Sequence, residues 1–469
     1  MEYRKIYIEN FGKIRSAEIE LAPMLLFVGD NNSGKSYLTS LIWGLQNYGR
    51  TEFFSPKNMR KSTFYKEIYD WIDNNIGNSV TGDCSLELKE YGVIIQNLIN
   101  DCLDYEKKNF VKWLFNTDEV GIDKMQIMIP ALESVKVEFS IKHNKKLLEN
   151  DSETERIELT MQIAQKRRRS RAVCLFSALD ELHDVHNIEF MMSVLCYFLL
   201  GTNYSKDTSI YLPASRTGFM LTKDIINQVG RDNTFNETQG NIITPFTRPI
   251  NNFLTVINNL SQYSQTKNDK YGGIVGYIET DMADGVIAVS DLPNKEVRYV
   301  PNGRSKSLPL RVVSGVVTEL SPLLLLLKYS RKITNIFYEE PEIGLHPQLQ
   351  KAMGRVLCRI VNSGINVCMT THSDLIIQHI NNMIALNNNS ENEELMEKYN
   401  YSYEDLLDYR KVRVYQFNTE VFRAKKRTIL EEVECGVNGF AVPTFNDTLD
   451  DITDEAYNIQ AVSYTHLTL

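Results

Sequence analysis

The chain has few cysteines. Its seven (Cys84, Cys102, Cys174, Cys196, Cys358, Cys368 and Cys435) are scattered, form no C-x-x-C pair and have no histidine at metal-ligand spacing. That pattern excludes a disulfide framework and a cysteine-histidine zinc site, and it suits a reducing, cytoplasmic compartment. Long apolar runs are also missing. The longest, at 323–327 and 194–200, fall far short of the roughly 20 residues a membrane helix needs, and the opening MEYRKIYIEN lacks the apolar stretch of a signal peptide, so no membrane segment is expected. No sustained heptad points to long coiled-coil arms, and no internal repeat is evident. An excess of positive charge is absent as well. With 51 Lys and Arg against 60 Asp and Glu the net charge is −9, so any nucleic acid must be met by local patches rather than by the whole molecule.

What remains is ordinary globular composition: 43% hydrophobic, 24% charged and 10% aromatic residues over 469 positions. At about 100 to 200 residues per domain that length allows roughly three structural units. Residues 461–469 (AVSYTHLTL) read as a translated adaptor tail and are set apart from the fold. Ile6 and Ile8, then Ala17, Ile19 and Leu21, alternate with polar residues around a turn at Phe11-Gly12-Lys13 and predict an N-terminal hairpin. Residues 24–28 (MLLFV) predict a strand buried on both faces. Leu38, Leu41, Ile42 and Leu45 recur at helical spacing shortly after it.

Between that strand and helix lies Gly29-Asp30-Asn31-Asn32-Ser33-Gly34-Lys35-Ser36, a match to G-x-x-x-x-G-K-[ST] without mismatch. Two glycines at this spacing occur by chance at about 1 in 400 positions, and the adjoining Lys-Ser makes coincidence far rarer. Glycines let backbone N–H groups converge on phosphate oxygens. Lys35 then reaches the β and γ phosphates, the Ser36 hydroxyl ligates Mg²⁺, and the helix start, including Tyr37, adds partial positive charge. These residues are the candidate ATP site. Further on, Asn335-Ile336-Phe337-Tyr338-Glu339-Glu340-Pro341-Glu342 predicts an apolar strand ending in carboxylates. Such a pair suits phosphoryl transfer, with Glu339 on Mg²⁺ and Glu340 on the attacking water. Taken alone, the same glutamates would read as solvated charges past a strand end.

The run NIFYEEPEIGLHP, with Leu345-His346-Pro347 after Glu-Glu-Pro-Glu, resembles the Walker B segment of the SMC/RecF/OLD-like group of ABC-type ATPases, the AAA family ATPases of DNA repair and phage defence. The opening IENFGKIRSAEIEL is similar to that group's first hairpin. The resemblance implies an α/β P-loop NTPase with an ABC-type head: a mixed central sheet, an N-terminal antiparallel β subdomain and a helical subdomain. It implies that Asn10 and Phe11 border the nucleotide and that His372, in Thr370-Thr371-His372-Ser373, contacts the γ-phosphate. It further implies that Ser314 and Gly315, opening Val313-Ser314-Gly315-Val316-Val317-Thr318-Glu319, serve as the signature helix start. This segment departs from L-S-G-G-Q at Val316 and Glu319. No Q-loop glutamine is assigned, Gln46 being a candidate. On this reading 1–49 and 205–380 form the ATPase core, 50–204 an insert with a β-hairpin and a helical part, and 381–460 a C-terminal segment completing or capping the core.

Within the insert, residues 135–141 and 157–163 alternate as two strands around a charged loop, and 172–201 reads helical with a break near 183–187. Residues 208–213 predict a strand, after which Arg216 reads as a surface arginine, an approach to phosphate being the alternative. The Asn-rich stretches 232–270 and 386–393 read as loops. Lys166-Arg167-Arg168-Arg169-Ser170-Arg171 and Arg423-Ala424-Lys425-Lys426-Arg427 are candidates for DNA contact, a solvated face being the plainer alternative. His183 and His186 read as residues of a surface helix. The acidic cluster Asp447, Asp450, Asp451 and Asp454 has too little chain around it for a nuclease domain. The function expected is therefore a cytoplasmic ATPase using ATP and Mg²⁺ in an ATP-dependent homodimer, in DNA maintenance or antiviral defence. The alternative is a nucleotide-gated module with little hydrolysis that holds a partner nuclease or another effector. A transporter subunit fits the long insert poorly, and a P-loop kinase explains neither Glu339-Glu340 nor His372.

Overall fold

Alternation at the start of the chain becomes an antiparallel hairpin, Lys5–Phe11 with Ile14–Glu20, whose Ile6, Ile8, Phe11, Ile14, Ala17 and Ile19 are all buried. The structure, a computed structural model, describes residues 2–48, 52–79, 84–147, 153–166, 168–201, 209–222, 225–226, 246–263, 269–290, 296–330, 332–422, 425–442, 452–457 and 459. Its contacts divide the chain into two units. One holds Met1–Leu21 and Ser40–Ser209, the other Ala22–Thr39 and Ile210–Leu469.

In the first unit the hairpin pairs with the strand Lys124–Met128 in antiparallel register, and the Gly12 amide donates to the Gly121 carbonyl at 3.1 Å. These main-chain bonds join the hairpin to a strand of the insert. A separate four-stranded antiparallel sheet follows the order Cys84–Glu87, Lys136–Leu147, Glu153–Gln165, Arg168–Phe176. Its last strand corrects the helical reading of 172–201. Residues 172–176 pair antiparallel with 157–161, and the α-helix begins only at Val185. Apolar residues on both faces of this edge strand, with Ala172 and Phe176 buried but Val173 and Leu175 exposed, had hidden its period of two. Among the described residues the longest helix is Gly92–Phe115, at 24 residues, and none is long and apolar enough to cross a membrane.

The second unit is built on a mixed sheet in the order Lys425–Val433, Val412–Phe422, Met24–Gly29, Asn366–Thr370, Asn335–Glu339, Ser209–Leu212. Parallel pairing joins Val412–Phe422 to Met24–Gly29, that strand to Asn366–Thr370, and Asn366–Thr370 to Asn335–Glu339. Lys425–Val433 forms an antiparallel hairpin with Val412–Phe422. Every residue of Met24–Gly29 is buried, as a strand covered on both faces requires. The helix Gly315–Tyr329 is buried all round from Val317 to Tyr329, so its run of leucines fills the core. The helix Arg248–Tyr263 corrects the loop reading over its own length, while 232–245 and 264–268 lie outside the described residues. Asparagine is a modest helix former, but Phe253, Leu254, Ile257 and Leu260 lie on one buried stripe, and that burial decides.

Gly29 sits where the sheet leaves no room. Its φ is +124°, and a Cβ there would lie 2.6 Å from the Phe417 carbonyl oxygen of the neighbouring strand. Both the backbone angle and the close approach select glycine. Gly29→Ala is expected to lower the unfolding free energy by more than about 2 kcal/mol, measured by urea titration without nucleotide. An unchanged urea midpoint would contradict this packing.

Candidate functional site

The site begins with a loop that turns back on itself. Gly29 and Gly34 have φ of +124° and +104°, and Asn32 adds a left-handed residue at +60°. Ser33 Oγ donates to the Asp30 carbonyl at 2.7 Å, closing the loop. The helix Lys35–Asn47 follows, with no acidic residue in its first turn to compete for an anion. Lys35 is 6% exposed, and its ammonium donates to the carbonyls of Gly29 at 2.9 Å and Asp30 at 2.6 Å. Asn31, Asn32, Ser36 and Tyr37 are exposed on the loop and helix start.

Parallel register brings the other residues to the same edge. Glu339 lies opposite Thr370, Thr370 opposite Phe27, and the Thr371 amide donates to the Phe27 carbonyl at 3.1 Å. The carboxyl ends of three adjacent strands therefore deliver Gly29, Glu339-Glu340 and Thr371-His372 together, the usual place for a ligand on such a sheet. Glu340 adopts φ +43°, a left-handed conformation that costs a non-glycine residue about 1–2 kcal/mol. Its amide donates to the Thr370 carbonyl at 2.9 Å, and its carbonyl accepts from the Ile343 amide at 3.1 Å. Glu342 Oε2 accepts from Thr371 Oγ1 at 2.9 Å and Oε1 from the His372 amide at 2.6 Å. This clamp escaped the sequence reading. The third carboxylate of Glu-Glu-Pro-Glu was its only signal.

Electrostatics follow from the burial. Desolvation lowers the Lys35 ammonium to about 8, against the opposing pull of Glu340, Asp30 and Glu342. Burial also lowers His372, with Lys35 adding to the effect and Asp30 opposing it, which favours the neutral imidazole. Burial raises the Glu342 carboxyl despite its hydrogen bonds from His372 and Thr371. Lys35, Glu340, Glu342 and His372 thus act on one another as a cluster.

Glu339 faces differently. It is buried, with Oε1 accepting from the Tyr211 hydroxyl at 2.8 Å and Oε2 from the Ala214 amide at 3.1 Å. Each oxygen keeps a lone pair, so a water-bridged cation remains compatible with its donor set. Ser314 caps the helix Gly315–Tyr329, its Oγ accepting from the Val317 amide at 3.5 Å, and both Ser314 and Gly315 are exposed. His346 occupies the N-cap of Pro347–Asn362, with proline at the first helical position.

Arg216 corrects the sequence reading. Far from being a surface residue, it is 1% exposed, and its guanidinium contacts Glu319 and the carbonyls of Pro213, Glu339 and Glu340. A polar context (PASRTG) hid a buried position because the acceptors are main-chain carbonyls, which leave no trace in composition. In the first unit, Phe11 is buried with its ring 6.0 Å from that of Phe115, and Asn10 donates to Asp123 at 2.8 Å. Gln46 accepts from Ser209 Oγ at 2.6 Å. The first basic run is not one face. Arg168 packs over the Phe198 ring at 4.7 Å and Arg171 pairs with Glu158, while Lys166 and Arg169 are exposed. Arg167, Arg423, Ala424, Asp447, Asp450, Asp451 and the tail 461–469 lie outside the described residues. His183 pairs with Asp73 at 2.5 Å, and no group of three or more His, Cys, Asp or Glu side chains suited to a metal occurs among the described residues.

The sequence profile of the AAA ATPase domain family matches residues 1–192 and 221–377, leaving 193–220, and with it Arg216, outside the match. Solved structures similar to the chain include the SMC head domain from Thermotoga maritima, at 11% identity over 92% of this chain and 100% of that one, TM-score 0.32. Another is the Smc head domain with an extended coiled coil bound to the C-terminal domain of ScpA, derived from Pyrococcus furiosus, at 10% identity over 97% and 100%, TM-score 0.34. No curated protein matches the chain.

The lowered Lys35 ammonium gives a signed expectation. Between about 8 and its ordinary 10.5 the unfolded chain binds more protons than the folded one. The native protein should therefore gain stability relative to Lys35→Met as pH rises through that window, with a level difference below it. Paired thermal melts from pH 7 to 10.5 check this. A difference that stays constant throughout would mean that the ammonium is well solvated.

Proposed function

The chain belongs to the AAA ATPase domain family, and from that premise we propose that it binds ATP with Mg²⁺ and hydrolyses it as a head-to-tail dimer. The observation that carries this reading is the convergence of Lys35, Glu340 and His372 at the carboxyl edge of one parallel sheet. Backbone N–H groups of 29–36 and the Lys35 ammonium hold the phosphates. Ser36 and Glu339 would hold Mg²⁺, which would neutralise charge on the phosphates. Glu340 takes the proton from the attacking water, and neutral His372 donates an N–H to the γ-phosphate.

In a head of this type the loop at 29–36 and the helix start at Ser314-Gly315 grip different nucleotides, so two chains clasp ATP between them. Exposure of Ser314 and Gly315 supports that role. ATP then favours the dimer, and loss of the γ-phosphate releases it. The setting we favour is DNA maintenance or antiviral defence, with a nuclease or other effector as partner. Among the described residues of the first basic run, the exposed Lys166, Arg169 and Arg171 are the candidates for contact with DNA.

Lys35→Ala is expected to reduce ATP turnover by about two orders of magnitude or more while the protein still melts cooperatively. Steady-state phosphate release measures it, and full turnover in a folded variant would end the assignment. Glu340→Gln keeps the size of the side chain but cannot accept the proton. It should retain ATP binding, lose turnover by at least about a hundredfold and accumulate as an ATP-dependent dimer. Adding Ser314→Arg should break that dimer. Light scattering with ATP and Mg²⁺ reads both, and an association state indifferent to ATP would refute the dimer.

A further inference from the structure

The proposed chemistry leaves Arg216 unused, although it is among the largest fully buried side chains of the described residues. Its Nη1 donates to the Glu339 carbonyl at 2.9 Å and the Pro213 carbonyl at 3.3 Å, and its Nη2 donates to the Glu340 carbonyl at 3.1 Å. Its Nε stands 2.8 Å from Glu319 Oε2 as an ion pair, and the guanidinium lies 5.0 Å from the centre of the Tyr338 ring. Glu319 belongs to the helix Gly315–Tyr329, which starts at Ser314. Thr217 Oγ1 holds the other Glu319 oxygen. A Cβ on Gly344, in the turn after Pro341-Glu342, would come within 2.9 Å of Glu319 Cγ. One planar fork thus grips two consecutive carbonyls of the strand end and a carboxylate of the helix, and one of those carbonyls belongs to the left-handed Glu340.

We propose that Arg216 is a positioning residue for hydrolysis: it fixes the Glu339 and Glu340 peptides and ties them to Glu319, so that the helix beginning at Ser314 sets where the Glu340 carboxylate stands. Arg216 is too deeply buried to touch the nucleotide and acts only through Glu340. The inference rests on the ATPase reading above. It adds a link within one chain by which engagement of the helix start by a second chain alters the hydrolytic residue.

Three variants test it. Arg216→Lys keeps the charge beside Glu319 but not the fork, Glu319→Gln keeps size and loses the ion pair, and Arg216→Met with Glu319→Leu replaces the pair by apolar groups of similar volume. Each is measured for thermal melting, ATP affinity and turnover over a range of ATP concentration. The folded variants should bind ATP within about threefold of native affinity while kcat falls by about a hundredfold, the loss expected of a misplaced catalytic group. A kcat near native in a folded variant overturns the proposal, as does a loss carried wholly in KM. Failure of all three to fold overturns it too, by reducing Arg216 to a structural staple. Native protein without turnover would overturn the ATPase reading and this inference with it, whereas native turnover beside unaltered variants overturns this inference alone.

Discussion

The Lys35 ammonium is almost wholly withdrawn from water, and a charge so placed is unfavourable unless dipoles and opposite charges gather round it. Two carbonyls of its own loop supply the dipoles, while Glu340, Glu342 and Asp30 supply the opposing charge. None of these is a sequence neighbour of Lys35 except Asp30. They arrive because parallel pairing aligns Phe27 with Thr370 and Thr370 with Glu339. A slip of one residue in either ladder would turn the carboxylates to the other face of the sheet and leave the ammonium uncompensated. Register and charge therefore enforce each other.

A second constraint acts on the peptide after Glu339. Left-handed backbone at a glutamate preceding proline persists only when its surroundings over-determine it. Thr370 holds the Glu340 amide, and Ile343 and Arg216 hold its carbonyl. An arginine–glutamate pair buried this far is weak evidence of stabilisation, because desolvation offsets most of the attraction. Its contacts instead specify one geometry. The neutral alternative, a leucine or methionine packed against Tyr338, would fill the space without fixing the two carbonyls.

Much of this was legible before any coordinates. Period-two alternation foretold the hairpin and an unbroken apolar run foretold Met24–Gly29, while the loop at 29–36 and Glu-Glu-Pro-Glu stood out by their spacing. What escaped notice depends on partners far away in the chain. Arg216 sits in a polar stretch, and nothing local says that three carbonyls and Glu319 will surround it. Glu342 reads as one more acidic residue until Thr371 and His372 are seen on its oxygens. The helix Arg248–Tyr263 was masked by asparagines whose weak propensity is overruled by four buried apolar residues.

The same logic explains how the chain accommodates a long excursion after the helix Lys35–Asn47. Unit boundaries fall between Thr39 and Ser40 and between Ser209 and Ile210, so the helix Lys35–Asn47 starts in one unit and ends in the other. Within the insert-bearing unit, Trp43 Nε1 donates to the Ser209 carbonyl at 3.3 Å, and Ser209 Oγ donates to Gln46 at 2.6 Å. The outgoing and returning ends are thereby held side by side. Loop-closure entropy grows only as the logarithm of loop length, so a folded insert whose ends already meet adds little cost beyond that of a short turn. Gln46, a Q-loop candidate by sequence, serves here as part of that clasp. The returning strand then delivers Tyr211 to Glu339 and Arg216 to the Glu340 carbonyl, so the point where the insert rejoins is also the point from which the strand end is held.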